Sequence, residues 1–270
     1  MFVNYDSELI LVFFEYRTGI IAFWVTALLA LSWRFSLRPS QSLEPRLILR
    51  NFALGGITEV AQRFLAAPAL ALVAVEMMKI RLGWIPQEWP SAVRAIIALL
   101  ILDGILYFWH RLNHIIPFLW RFHRVHHSDP QMNASTAVRF HPGEFLLATG
   151  TSALQLWITG FDPVTYMLYD FCVTVAVPFH HANLSLPGNW DRRLRLLIIT
   201  PELHAIHHSI RDEETQSNFG TIFSFWDRLF RTRKTREPAA SIVTGVLPLA
   251  SQRLIDLLDA PARSEAWRQH

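Results

Sequence analysis

Long apolar runs constrain this chain more than any other feature, because about 20 predominantly apolar residues are enough for a helix to cross a bilayer. Four such stretches occur. The first runs from about Leu9 to Trp33, interrupted only by Glu15 and Arg17. The second covers about Phe52 to Met78, with Glu59 and Arg63 near its start, and the third extends from about Ala92 to Trp109 with Asp103 inside it. The fourth, Phe145 to Phe179, has Asp162 and Asp170 as its only formal charges and a turn signal at Gly160-Phe161-Asp162-Pro163. Its two arms are short, so a hairpin dipping into the bilayer and two full spans are both open. With 51% hydrophobic and 17% charged residues among 270, an integral membrane protein is the expectation, and a large soluble helical core is the alternative.

Charge orients the spans. Arg34, Arg38, Arg46 and Arg50 stand against Glu44 between the first two stretches, whereas the N-terminus carries Asp6 and Glu8 and no lysine or arginine before Arg17. The positive-inside rule predicts that the arginine-rich loop is cytoplasmic, that the N-terminus lies outside, and that the third span returns to the cytoplasm just before His110. Trp84 and Trp89, in the opposite loop, fit an interfacial aromatic belt. A basic n-region and a small-residue cleavage site are both lacking at the N-terminus, so no removable signal peptide is expected. The organisation that follows is N-terminal transmembrane helices over 1–91, a membrane-embedded and cytoplasmic histidine region over 92–236, and a cytoplasmic tail over 237–270.

Several function classes drop out. An aromatic content of 13% with low charge excludes disorder, and a single cysteine, Cys172, excludes a disulfide scaffold or a cysteine-ligated cluster within the chain. The net charge of +3 is scattered between apolar segments and makes no nucleic-acid surface. Histidine is the exception: of twelve, eleven fall between His110 and His208.

Three histidine groups carry the chemistry. His110 and His114 continue a helical span four residues apart and so face the same way. His123, His126 and His127 form an HxxHH run, and His204, His207 and His208 repeat it; in a helix each run sets three rings on one stripe. These eight imidazoles are twice what a tetrahedral zinc uses, which points to two metal ions sharing a site, although imidazole alone does not choose between iron, copper, zinc and nickel. With no HExxH run, a zincin protease is not indicated. His181 is a candidate ninth ligand, and Asn183, two residues on, a candidate to hold a metal-bound water or the His181 ring. His180 points elsewhere and reads as structural. His141 superficially matches a cytochrome b5 haem motif that fails at Glu144, and reads as structural or as a support for the metal shell. Asp103, an acid inside a span, is a candidate to orient a ligand by hydrogen bonding, with pairing to an arginine as the alternative. Trp226 and Asp227 read as braces, an interfacial anchor and a salt bridge.

From about Asp103 to Arg233 the chain resembles the fatty acid hydroxylase/sterol desaturase superfamily. The matching phrases are His110xxxHis114, Trp120-Arg-Phe-His-Arg-Val-His-His-Ser-Asp129, Thr136-Ala-Val-Arg-Phe-His-Pro142, His181-Ala-Asn183, Thr200-Pro-Glu-Leu-His-Ala-Ile-His-His-Ser209, Asn218-Phe-Gly220 and Trp226-Asp-Arg-Leu-Phe230. After Phe230 the chain reads Arg-Thr-Arg, where family members often have Gly-Thr-Tyr, so the resemblance guides the tail poorly. The apolar spans, the loop charges and the histidine runs lead to the expectation of an all-α, multi-span membrane protein with a histidine-rich di-metal domain at the cytoplasmic face, and the resemblance agrees. It also implies two iron ions bound by His110, His114, His123, His126, His127, His181, His204, His207 and His208, and O2 as co-substrate.

The activity expected on that basis is hydroxylation of a C–H bond in a membrane lipid, whether acyl chain, sterol-like ring, carotenoid or aminolipid. Desaturation is the alternative within the superfamily, and a non-catalytic membrane metal carrier the alternative outside it. A transporter would set polar groups along several spans, whereas here they gather at one membrane face. Zinc is an expected substitute for iron. No haem motif, cysteine cluster or flavin-type glycine fingerprint is present, so electrons are expected from a separate ferredoxin-, cytochrome b5- or reductase-type donor. The expected location is a bacterial inner membrane, or the endoplasmic reticulum membrane of a eukaryote, with the site facing the cytoplasm.

Overall fold

The computed structural model describes residues 5–41, 43–70, 72, 85–86, 88–159, 163–187, 189–236, 239–246 and 252–263. Apolar composition with few interior prolines favours helix, and helix is what forms: α1 (Tyr5–Arg34), α2 (Pro45–Ala61), α3 (Ser91–Ile115), α4 (Pro117–His127), α5 (Pro142–Thr159) and α6 (Pro163–His181) are the long elements. Shorter helices follow as α7 (Trp190–Leu194), α8 (Pro201–His207), α9 (Asp212–Thr215), α10 (Phe225–Leu229) and α11 (Leu254–Asp259). Among the described residues there is no strand, only the isolated bridges Ser36–Leu184, Ile198–Phe223 and Ser209–Thr244. Proline opens α2, α4 and α8, where its missing N–H has no intrahelical partner to lose.

Among the described residues two helices, Glu15–Arg34 within α1 and Ser91–Ile115, are long and apolar enough to cross a membrane. Their outer faces carry exposed Phe23, Trp33 and Ile96, and α2 and the π-helical turn after it add exposed Val60 and Phe64. An apolar belt of this extent is suited to lipid and not to water. The fourth apolar stretch forms the helix pair α5 and α6; its turn at residues 160–162 lies outside the described residues, as do most of the second stretch beyond Leu72 and Trp84.

α1 lies along α6, held by Val25 and Leu28 against Ala182 and Leu184, by the Trp24 indole donating to Val175 O at 3.0 Å, and by an ion pair between Arg17 and Asp170 at 2.6 Å. At the inner end of the bundle, a buried polar network clamps the turn after α4. Arg139 donates to Val125 O, Ser128, Asn51 and Gln252, while Asp129 accepts from Asn51 and Thr136 at 2.8 and 2.7 Å. Satisfied networks of this kind fix one arrangement, since any unpaired member would stay desolvated. Arg38, counted above among the loop cations, is buried and donates to Met132 O at 2.7 Å.

Candidate metal centre

Histidine rings converge from the C-terminal ends of four helices. His110 and His114 close α3, His123, His126 and His127 close α4, His181 ends α6, and His204 and His207 end α8 with His208 next in line. Helix C-termini carry partial negative charge, which favours a cation at their meeting point. The rings fall into two groups. His110, His114, His123, His127 and His207 form one, and His126, His181, His204 and His208 the other, with ligand atoms in each group within 4.8 Å of one another. The groups adjoin, the His127 and His208 rings stacking at 4.2 Å.

This division differs from the single stripe expected of each HxxHH run. From α4, His123 and His127 enter the first group and His126 the second; from the α8 run, His204 and His208 enter the second and His207 the first. Rings four apart stay together while the ring between them, rotated roughly 60° from the first and roughly 100° from the last on the helix, reaches across. Each run thereby ties the two groups to each other.

The ring nitrogens are disposed as ligands. Nδ1 of His110, His181 and His207 donates to the carbonyls of Phe219, Val177 and Ser217 at 2.8, 2.7 and 2.7 Å, which leaves Nε2 facing inward. His181 Nε2 stands 3.0 Å from both His126 Nε2 and His204 Nε2, and His207 Nε2 stands 3.0 Å from His110 Nε2. Nitrogens bound cis on one octahedral ion at about 2.1 Å would stand about 3.0 Å apart. Eight of the nine rings are buried, His110 being half-buried. Buried nitrogens on His123, His127, His204 and His208 have no hydrogen-bond partner, a costly condition unless an ion accepts their lone pairs. Burial, and after it the neighbouring imidazoles, pushes His126, His127, His204 and His208 well below the usual histidine range, so these rings are neutral as ligation requires. The donor set therefore fits metal.

Two expected site residues are elsewhere. Asp103 touches no histidine: its carboxylate accepts from the backbone N–H of Ile222 and Phe223, both at 3.1 Å, and from the Trp226 indole at 2.9 Å. It pairs with no arginine among the described residues either. Asn183 also faces away, accepting from Arg38 N at 2.9 Å and donating to Ser36 Oγ at 3.0 Å, because the chain turns outward directly after α6. Asp227 braces without the expected salt bridge among the described residues, accepting from Phe219 N and Gly220 N, and Trp226 donates to Asp103. Two carboxylates thus pin the loop whose Phe219 carbonyl orients His110. Gly220 is required within it, since a Cβ would meet Phe223 O at 2.7 Å and Asp227 Oδ2 at 2.9 Å.

His141 is structural, accepting from Gly143 N and donating to Leu258 O. His180 lies outside both groups with its ring 4.0 Å from that of His204. One residue escaped the sequence reading. Glu144, in the first turn of α5, stands 2.8 Å from His123 Nδ1, both buried. The only sequence signal was its position after His141-Pro142-Gly143.

A cavity of about 360 Å³ runs from the histidines between the long helices. His110, His123, His126 and His181 wall its inner end, and Leu106, Val138, Phe145 and Val173 line its middle.

The fatty acid hydroxylase family model matches residues 95–232, just over half of the chain and the whole of both histidine groups. The chain belongs to the fatty acid hydroxylase family. Its relatives in that family include an ornithine lipid hydroxylase of Rhizobium tropici, 32% identical over 61% of this chain and 49% of that protein. An alkylglycerol monooxygenase of Danio rerio is 28% identical over 61% of this chain and 37% of its own length. Sphinganine C4-monooxygenase 1 of Arabidopsis thaliana is 33% identical over 50% of this chain and 52% of its own. The chain thus spans about half or less of the length of these relatives. No solved structure matches it. The relatives are named as lipid hydroxylases and monooxygenases, and two helices of this chain are long and apolar enough to cross a membrane.

Proposed function

We propose that this chain is an O2-dependent di-iron hydroxylase of a membrane lipid. The observation that carries the reading is the gathering of nine imidazoles into two adjoining groups at the end of a cavity with apolar walls. Hydroxylation is preferred over desaturation because the relatives are hydroxylases and monooxygenases by name.

In this reading His110, His114, His123, His127 and His207 hold one iron and His126, His181, His204 and His208 the other. A bound iron pair would supply the activation of O2 that lets one oxygen atom enter a C–H bond and the other leave as water, with two electrons and two protons from outside. The chain's own residues do the rest. Glu144 and the carbonyls of Phe219, Val177 and Ser217 fix the tautomer and angle of four rings, so that the inward nitrogen is the one free to bind. Leu106, Phe145 and Val173 keep water from the reacting carbon and guide a lipid chain toward the histidines. Asp103 and Asp227 act one step further out, holding the loop that carries Phe219.

The membrane arrangement belongs to the same proposal. Residues 1–91 supply membrane helices, 92–236 the catalytic region and 237–270 a tail, with the chain multi-pass and the histidines at the cytoplasmic mouth. Support comes from the arginines at 34, 46 and 50, at the end of α1 and in the first turns of α2, flanking the loop that begins near the histidine level. Electrons then arrive from the aqueous side through a separate donor while the lipid enters from the bilayer.

The test is comparative lipid mass spectrometry of a lipid-rich host expressing either the unaltered chain or His207→Ala. A lipid heavier by one oxygen atom, present only with the unaltered chain, is the expected result. A lipid lighter by two hydrogens would turn the reading to desaturation, and no change in any lipid class would remove it.

A further inference from the structure

The cavity has a second, polar end that the metal chemistry does not use. On α6, Asp170 precedes His181 by eleven residues, which at 1.5 Å per residue sets it about 16 Å from the histidines. Both Asp170 oxygens engage Arg17 of α1, at 2.6 Å from Nε and 3.2 Å from Nη2. Glu59 of α2 lies within electrostatic reach of the same guanidinium, and Tyr166 lies beside the pair and bonds Ser152. All of these side chains line the cavity. One turn nearer the histidines, Thr174 is buried, lines the same cavity and has a hydroxyl with no hydrogen-bond partner.

Formal charges inside membrane segments are costly, and where they persist facing a cavity they mark a ligand path. An ion pair alone could serve only to join α1 to α6. It does not explain Glu59, which makes no direct ion pair among the described residues, or the open hydroxyl of Thr174. Glu59, Gln62 and Ala66, spaced i, i+3 and i+7, lie on one helical stripe that reaches the cavity, the last two within a π-helical turn over Gln62–Ala66. The balance of charge selects the ligand. Arg17 is already spent on Asp170 in a two-point contact, so an arriving carboxylate would be a third anion against one cation. A hydrogen-bond donor would instead find the Glu59 carboxylate free to accept.

We propose that Arg17, Glu59, Asp170, Tyr166 and Thr174 form a subsite for the polar group of the substrate lipid, that this group is a hydrogen-bond donor (an alcohol or an ammonium), and that a free carboxylate is rejected. The subsite rests on the lipid-hydroxylase reading for its purpose. It sets the carbon that reaches the histidines by its distance from the donor group, the cavity acting as a ruler of about half the hydrocarbon thickness of a bilayer.

Binding, not turnover, tests it. The full chain, metal-loaded and purified in detergent, is given equal concentrations of hexadecanol, hexadecylamine and hexadecanoate, and the amphiphile retained per chain is counted by native mass spectrometry. The alcohol or the amine should be retained at least about tenfold better than the carboxylate, and whichever of the two leads identifies the donor. Glu59→Gln should bring the carboxylate toward parity, and Glu59→Lys should put it ahead of the amine. Equal retention of all three by the unaltered chain, or an unchanged order in Glu59→Lys, would overturn the subsite. If the probes sort as stated yet no lipid gains oxygen when iron, O2 and electrons are supplied, the hydroxylase reading fails and the subsite stands.

Discussion

Glu144 Oε1 and His123 Nδ1 are 2.8 Å apart and both are buried, so the carboxylate holds the outer nitrogen of a ring whose inner nitrogen has no other partner. A carboxylate in that position fixes the tautomer and the orientation of the ring it holds. Glu144→Ala is expected to lower metal affinity or turnover by about 10- to 100-fold, the usual cost of losing such a support. Glu144→Gln keeps an acceptor oxygen and should lose less. Iron retained after dialysis against a chelator, compared across the three proteins, checks the order; equal retention would reduce Glu144 to a packing residue.

His181 and His180 are neighbours with opposite expectations. His181 Nε2 bridges two other rings at 3.0 Å, whereas His180 joins neither group. His181→Ala should cost one metal ion and most activity, while His180→Ala should keep both ions. Metal content of the two variants in one membrane preparation decides, and a larger loss at His180 would reverse the assignment.

Asp103→Ala strands two backbone N–H groups and an indole N–H in a buried loop. Leaving buried donors unmade costs about 1–3 kcal/mol each, so thermal stability should fall clearly. Metal still bound to the folded variant at low temperature should remain near that of the unaltered chain. Loss of metal without loss of stability would instead make Asp103 a direct support of the centre.

Ser40, exposed in the loop after α1, reports topology. In a Cys172→Ser background, Ser40→Cys should react with a membrane-impermeant maleimide only after the inner face is opened. Labelling of intact cells would put the arginine-rich loop, and the histidines with it, on the outside.

The nine rings that cluster were named from the sequence, eight by their spacing within HxxxH and HxxHH runs and His181 by its place at the end of the fourth apolar stretch. How the HxxHH runs divide was not legible there, since that depends on where α3 and α6 meet α4 and α8. Asp103 and Asn183 misled for one reason: a polar group near a ligand motif reads as chemistry, yet each is consumed by backbone N–H groups that no local pattern announces. Glu144 was hidden because its partner lies 21 residues away and the adjacent His141 drew attention to haem. The helical class followed from the apolar runs, and the Arg17–Asp170 pair from nothing local, its members being 153 residues apart.

Counting the metal tests the central claim most directly. Protein made with iron supplementation, so that zinc, which lies above Fe(II) in the affinity order, does not displace it, should carry about two iron equivalents per chain, because nine imidazoles exceed what one ion can bind. His204→Ala, from the second group, should retain about one. A single equivalent or none in the unaltered and properly folded chain would contradict a two-metal centre and, with it, the hydroxylase built upon it.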